Sequence, residues 1–452
     1  MATTLFRIAA PRYRATPISL LGEFLIQDRS KLQRRGYHAP SHGLHSNVHQ
    51  AHILLHSRSS KKMLTTSAIA EVTTAVSAAA AGTSAGGYTL LSFTPATAVL
   101  GGLLLGIATA GKLLTTGRVL GISGAVKGLV AGDLASWRFA FLMGMALGSV
   151  ALTATLPGAF EVLPQTFTVW RAVLAGLLVG VGSSMGNGCT SGHGICGSAR
   201  LSPRSFAYTA TFMASGMLTA TLTGSAAALK VAPLPAALAM PTVAEAQLAA
   251  VVAAGGIATF AALAAAKRFM GEATPRPPRA HGGSSEQQLP QSRRLELASE
   301  LLAGCIFALG LGLSGMSRPS KVAGFLTLGL PSWDPSLPFV MAGAVAVAMV
   351  AYQGVMRFRM MSKPLFCPTF QIPSSSLIDT KLLGGGVIFG AGWGLAGICP
   401  GPALVAAMMG DPRVLGYIAA MVGGMLLQSR LETLVARLGS KDARWMKPMT
   451  FR

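Results

Sequence analysis

Acidic residues are scarce in this chain: 15 Asp and Glu stand against 37 Lys and Arg in 452 residues, and charged residues together make up only 12%. Soluble domains carry roughly twice that charge density, which excludes a string of two or three ordinary soluble domains. The shortage of carboxylates also leaves no acid pair within the uncharged stretches to serve as general acid and base. Glu300, near the end of one stretch, reads as a helix cap or surface residue. Five cysteines, an odd number in a long chain, do not make the disulfide framework of a small secreted domain. The net charge of +22 does not indicate a nucleic-acid partner, because the basic residues are pushed between long uncharged runs rather than gathered on a water-facing surface.

What is abundant is apolar: 51% of residues are hydrophobic. Uncharged or nearly uncharged stretches recur at 91–111, 137–156, 167–185, 206–229, 246–266, 297–316, 337–355, 382–398 and 414–427. A helix needs about 20 such residues to cross a bilayer, so the expectation is an all-α polytopic membrane protein of about nine transmembrane helices. The last two stretches are short and read equally as re-entrant half-helices held inside the protein. Gly102/Gly106, Gly144/Gly148, Gly176/Gly180 and Gly386/Gly390 are spaced four apart, which clears one helix face for close packing. Basic residues mark alternate loops: Lys112, Arg118 and Lys127, then Arg200 and Arg204, then Lys267 and Arg268, then Arg357, Arg359 and Lys363. That pattern orients the spans, with the C-terminus on the positive side.

Composition divides the chain into a basic segment 1–62, a first membrane half 63–270, a linker 271–295 rich in Pro, Gly, Ser and Gln, a second half 296–430 and a basic tail 431–452. Segment 1–62 is Arg-rich with only Glu23 and Asp28 opposing, as in a mitochondrial or plastid transit peptide. The alternative is a disordered tail on a plasma-membrane protein.

The halves repeat. Gly176, Gly180, Gly182 and Cys189 recur 210 residues later as Gly386, Gly390, Gly392 and Cys399, and Pro203, Arg204 and Tyr208 recur 209 later as Pro412, Arg413 and Tyr417. Val119 and Gly121 pair with Val322 and Gly324 at a shift of 203. Five spans between equivalent points make the repeat an inverted one, an arrangement that places a substrate path at the repeat interface, between broken helices.

Chemistry concentrates in two motifs, Gly186-Asn187-Gly188-Cys189-Thr190-Ser191-Gly192-His193-Gly194-Ile195-Cys196-Gly197 and Gly392-Trp393-Gly394-Leu395-Ala396-Gly397-Ile398-Cys399-Pro400-Gly401-Pro402. Such glycine density breaks a helix and lets backbone N–H groups approach a ligand. A following helix start favours an anion, and a thiol there offers a weak contact to a soft sulfur atom. Cys189, Cys399, Cys196 and His193, with Gly188, Gly192, Gly397 and Gly401, form the expected path. His193 serves equally to orient the loop. Cys305 fills core and Cys367 is incidental. Cys189, His193 and Cys196 have partial metal-site spacing, but no second pair completes four ligands, so neither metal nor cofactor is expected. Gly106-x4-Gly111-Lys112 lacks the Ser or Thr of a phosphate loop, and Gly310-x-Gly312-x-x-Gly315 lies in an apolar run with no preceding strand.

These motifs, together with Arg200-Leu201-Ser202, Gly315-Met316, Pro319, Lys321-Val322 and Trp333-Asp334-Pro335-Ser336-Leu337, resemble the YeeE/YedE sulfur-transport family over roughly residues 96–427. The resemblance implies an hourglass-shaped inverted repeat that passes thiosulfate or a related sulfur anion along cysteine thiols, a role that falls on Cys189 and Cys399. Bacterial relatives can occur as separate halves, here fused through the linker. A soluble sulfurtransferase is a partner such a permease could serve. The competing class is a membrane sulfurtransferase or thiol-redox enzyme carrying a persulfide on Cys189, resolved by Cys196.

Overall fold

The computed structural model describes Thr89 and residues 91–234, 238–270 and 291–445. The expected targeting segment 1–62, most of the linker and the end of the tail lie outside the described residues. Backbone groups denied water must bond within their own segment, and the apolar runs accordingly form helices: α1 Pro95–Thr116, α2 Ile122–Val130, α3 Ser136–Thr155, α4 Val169–Gly186, α5 Pro203–Leu222, α6 Ser225–Ala228 and α7 Val243–Met270 in the first half. The second half holds α8 Gln291–Leu313, α9 Pro319–Leu326, α10 Ser336–Met356, α11 Thr380–Ala396, α12 Pro400–Ala406 and α13 Pro412–Trp445. Among the described residues there are isolated β-bridges but no strand.

Local sequence explains several starts. Proline opens α1, α5, α9 and α12, where a missing N–H costs nothing. The side chains of Thr168, Ser202 and Asp379 accept the N–H groups of Arg171, Ser205 and Leu382. Thr242 and Glu245 form a reciprocal capping box at α7.

Among the described residues, eight segments are long and apolar enough to cross a membrane, which makes this an integral membrane protein. The ninth expected stretch, 206–229, divides between α5, 20 residues long but diluted by Thr209, Thr211, Ser215, Thr219 and Thr221, and the short α6. The half-helices lie elsewhere than expected. Neither 382–398 nor 414–427 is one: α11 is a long helix, and α13 extends to 34 residues. The short elements are α2, a π-helical turn at Thr190–Gly197, α9 and α12, of 9, 8, 8 and 7 residues. Each is too brief to register in a hydropathy window of spanning length.

The two halves share one order of elements: long, short, long, long, short, long. Their packing is matched as well. Helix α4 packs on α13 and its counterpart α11 on α5; α3 packs on α8 and its counterpart α10 on α1. The glycine ladder sets these contacts. A Cβ at Gly180 would overlap the Met421 carbonyl, and one at Gly390 would overlap the Phe212 carbonyl. A Cβ at Gly182 would likewise crowd the Gly385 carbonyl, and one at its counterpart Gly392 the equivalent carbonyl of Ala175. The Pro-Arg-Tyr repeat acts alike in both copies: Arg204 donates to the Leu377 carbonyl ahead of α11, and Arg413 to the Leu163 and Pro164 carbonyls ahead of α4, at 2.9 and 2.7 Å. The Val119/Gly121 pairing fails. Gly121 caps the start of α2, whereas Gly324 lies within α9, so the short helices align in another register. Helix α7 has no counterpart and is the most exposed of the candidate spans.

Two charges were misplaced by the hydropathy reading. Lys112 lies within α1 rather than in a loop, and Glu300 is neither cap nor surface but fully buried on α8. They form an ion pair, with Glu300 also accepting from Thr116 at 2.9 Å and Arg118 at 3.2 Å. The Lys112 ammonium lies 4.4 Å from the Phe141 ring centre and 4.8 Å from that of Trp137. A charge within an apolar span persists where such partners surround it.

Candidate functional site

Both cysteine motifs are built alike. Helix α4 ends at Asn187, whose φ of 54° turns the chain left-handed, and α11 ends at Gly397 with φ of 67°. These positions are themselves 210 apart. Two residues on, Cys189 and Cys399 are both extended and both cap the next short element, the π-helical turn and α12. Glycine is required at 397, where φ is positive and a Cβ would stand 2.6 Å from the Pro319 carbonyl. At the matching place asparagine suffices, since it is among the side-chain residues most tolerant of that conformation. Gly188 serves another purpose: a Cβ there would lie 2.6 Å from the His193 ring. Gly401 packs against Ile122, and the space beside Gly192 is open.

One tyrosine holds each break. The Tyr208 hydroxyl donates to the Gly188 carbonyl at 3.3 Å and lies 3.2 Å from that of Gly182; the Tyr417 hydroxyl donates to the Ile398 carbonyl at 2.7 Å. Gly188 and Ile398 immediately precede the two cysteines. Sequence reasoning matched these tyrosines without finding their role, which depends on a backbone acceptor that has no sequence signature. Tyr417→Phe would leave that buried carbonyl unpaired, at a cost of about 1–3 kcal/mol. The expected result is a lower melting temperature in detergent and faster maleimide labelling of Cys399; unchanged labelling would show that the hydroxyl does not hold the thiol.

His193 is tied at both ring nitrogens. Nε2 donates to the Gly186 carbonyl at 3.1 Å, and Nδ1 accepts from the Ser205 hydroxyl at 3.0 Å. It therefore clamps the end of α4 to the first turn of α5, the orienting role. Cys189, Cys196 and Cys399 are all buried and free. Cys189 Sγ lies 3.3 Å from Ser191 Oγ. Cys399 is buried at the start of α12, directly before Pro400. Cys189, Thr190 and Ser191 line a cavity of about 30 Å³ with Gly401, and its walls include Ile122, Phe307, Leu311, Met316 and Met341. Cys196 points elsewhere, donating to the Leu120 carbonyl at 3.3 Å. Of the five cysteines only Cys189 lines the cavity; Cys399 contributes through its neighbours Gly401 and Pro402. No cluster of three or more His, Cys, Asp or Glu able to hold a metal occurs among the described residues.

The π-helical turn accounts for the change of shift from 210 to 209. The first copy has one residue more between its cysteine and the following proline than the second, and a π-helix accommodates more residues per turn than an α-helix. The ends therefore stay in register while the turn between them widens.

A membrane-embedded repeat with facing broken helices and a buried cavity at their junction has the architecture of a transporter. Residues 110–219 match the sulphur transport family model, and residues 295–440 match a family of unknown function (DUF6691). Two proteins of Xylella fastidiosa (strain Temecula1), each called a probable transporter, are similar to parts of the chain. One is 41% identical over 137 residues, 30% of this chain and 90% of the relative; the other is 47% identical over 126 residues, 28% of this chain and 93% of the relative. No solved structure gives a significant match. The chain belongs to the YeeE/YedE sulphur-transport family.

Proposed function

We propose that the protein is a permease for thiosulfate or a closely related sulfur anion. The observation that carries this reading is that two repeat-related thiols, Cys189 and Cys399, stand buried at the ends of broken helices, with residues of both motifs, Cys189 from one and Gly401 and Pro402 from the other, lining one cavity. An anion entering this apolar region loses its hydration and needs donors in exchange. The first copy is the richer source, with the hydroxyls of Thr190 and Ser191 and the open backbone at Gly192. In the second, Pro400 and Pro402 have no N–H, leaving Gly401 the one amide of that stretch. The thiols add weak, polarizable contacts that permit release.

A cavity of about 30 Å³ has room for about one water, so passage of a larger anion requires the walls to move. Met316 and Met341 are suited to this, being unbranched and adaptable. The persulfide-enzyme reading has less support, because its resolving thiol, Cys196, is bonded to the Leu120 carbonyl. A soluble sulfurtransferase that consumes the delivered anion remains part of the proposal. The deciding experiment measures uptake of labelled thiosulfate into proteoliposomes, with sulfate and sulfite as competitors. Saturable uptake that thiosulfate blocks better than sulfate is expected; uptake no faster than in protein-free liposomes would refute the reading.

A further inference from the structure

The C-terminus of a helix carries a partial negative charge on its free carbonyls, a poor neighbour for an anion's path. Each path cysteine follows directly on such an end, α4 before Cys189 and α11 before Cys399. At both ends a cation covers the carbonyls. Lys127 Nζ, reaching from α2, donates to the Ser184 carbonyl and to Asn187 Oδ1, each at 3.0 Å. Arg171, in the first turn of α4, donates through Nε to the Leu395 carbonyl at 2.7 Å and through its other arm to Ser225 Oγ at 2.8 Å. Ser225 Oγ in turn donates to the Gly394 carbonyl at 2.6 Å. Neither cation belongs to any ion pair among the described residues, which bind Lys112, Arg118, Arg138, Arg204, Arg318, Lys321, Lys381 and Arg413 to carboxylates.

The repeat does not account for this likeness. The short helix of the second half, α9, meets the break at Gly397 with Pro319 and Ala323, and its one cation, Lys321, donates instead to Ser92 and Thr94 and pairs with Asp334. The charge arrives from α4 instead. Two unrelated sequence positions thus deliver a cation to equivalent helix ends.

We propose that Lys127 and Arg171 are specificity-determining residues of the path, which cancel the negative ends of α4 and α11 and leave a net positive potential at both breaks, so that the junction admits anions. The inference rests on the permease reading given above and adds the source of its charge selectivity. Neither side chain is required to touch the anion; each acts through the helix end that it covers.

The test is the KM for thiosulfate uptake in proteoliposomes. Lys127→Gln and Arg171→Gln keep a donor for the carbonyl but lose the charge, and each is expected to raise KM roughly tenfold with little change in maximal rate. Lys127→Arg and Arg171→Lys, which keep the charge, are expected to stay near the wild-type KM. Lys127→His gives a second readout: its KM is expected to rise as pH increases through about 6.5, where imidazole loses its charge, while the wild-type KM stays flat. Gln variants with wild-type KM, or charge-retaining variants as impaired as the Gln ones, would overturn the proposal. If the Gln proteins do not fold, a flat pH profile for Lys127→His overturns it alone. Failure of the unmutated protein to take up thiosulfate is a separate outcome and counts against the permease reading itself.

Discussion

Alanine at Cys189 or at Cys399 is expected to abolish thiosulfate uptake in proteoliposomes while leaving the amount of folded protein unchanged. Both thiols are buried, Cys189 in the cavity wall and Cys399 two residues ahead of the wall residue Gly401, where a passing anion is stripped of water and each lost contact is felt in full. Removing a partner from a buried charge costs about 2 kcal/mol or more, which corresponds to a rate loss of roughly thirtyfold or more. Serine at the same positions retains size and a donor but not the polarizable sulfur, so intermediate rates are expected. Cys305→Ala is the control: this residue is partly buried within α8, outside both cysteine motifs. Wild-type uptake by both alanine variants would remove the thiols from the path.

The second large effect concerns stability. Glu300→Ala leaves the Lys112 ammonium buried without its carboxylate and deprives Thr116 and Arg118 of an acceptor. Breaking such a pair from one side costs about 3–5 kcal/mol, enough to remove most folded protein. The double change Lys112→Met with Glu300→Leu takes away both charges and is expected to recover much of the loss, because Trp137 and Phe141 already supply an apolar wall. Thermal unfolding in detergent checks both. A single variant as stable as wild type would mean that the pair does not secure α1 against α8.

The sequence was legible where rare residues recur. The glycine ladder, the two cysteines and the Pro-Arg-Tyr triplets stand out as matched sets against an Ala- and Leu-rich background, and each falls at equivalent places in the two halves of the structure. Val119 and Gly121 are common residues, and their match proved to be out of register. Hydropathy found the long helices but misplaced the half-helices, because an element of 7 to 9 residues is masked by the long runs beside it. Partners distant in sequence were beyond its reach as well. Lys112 and Glu300 are 188 residues apart, and each alone reads as the margin of an apolar stretch. Asn187 escaped notice because its role belongs to a glycine in the other copy, and Lys127 looked like a topology signal until its carbonyl partners were in view.

The extra residue in the turn at Thr190–Gly197 bears on direction. Two identical halves, inverted, would form a channel that looks the same from either end and confers no intrinsic polarity on its cargo. The widened turn breaks that equivalence at its centre: on one side are hydroxyls and a clamped imidazole, on the other a proline-rich start with a single amide. On the permease reading, a cargo therefore exchanges a hydrogen-bonding berth for a dry one as it crosses, and meets the reverse order if it returns. A one-residue insertion would then distinguish an entrance from an exit in a molecule whose long helices are paired alike in both halves.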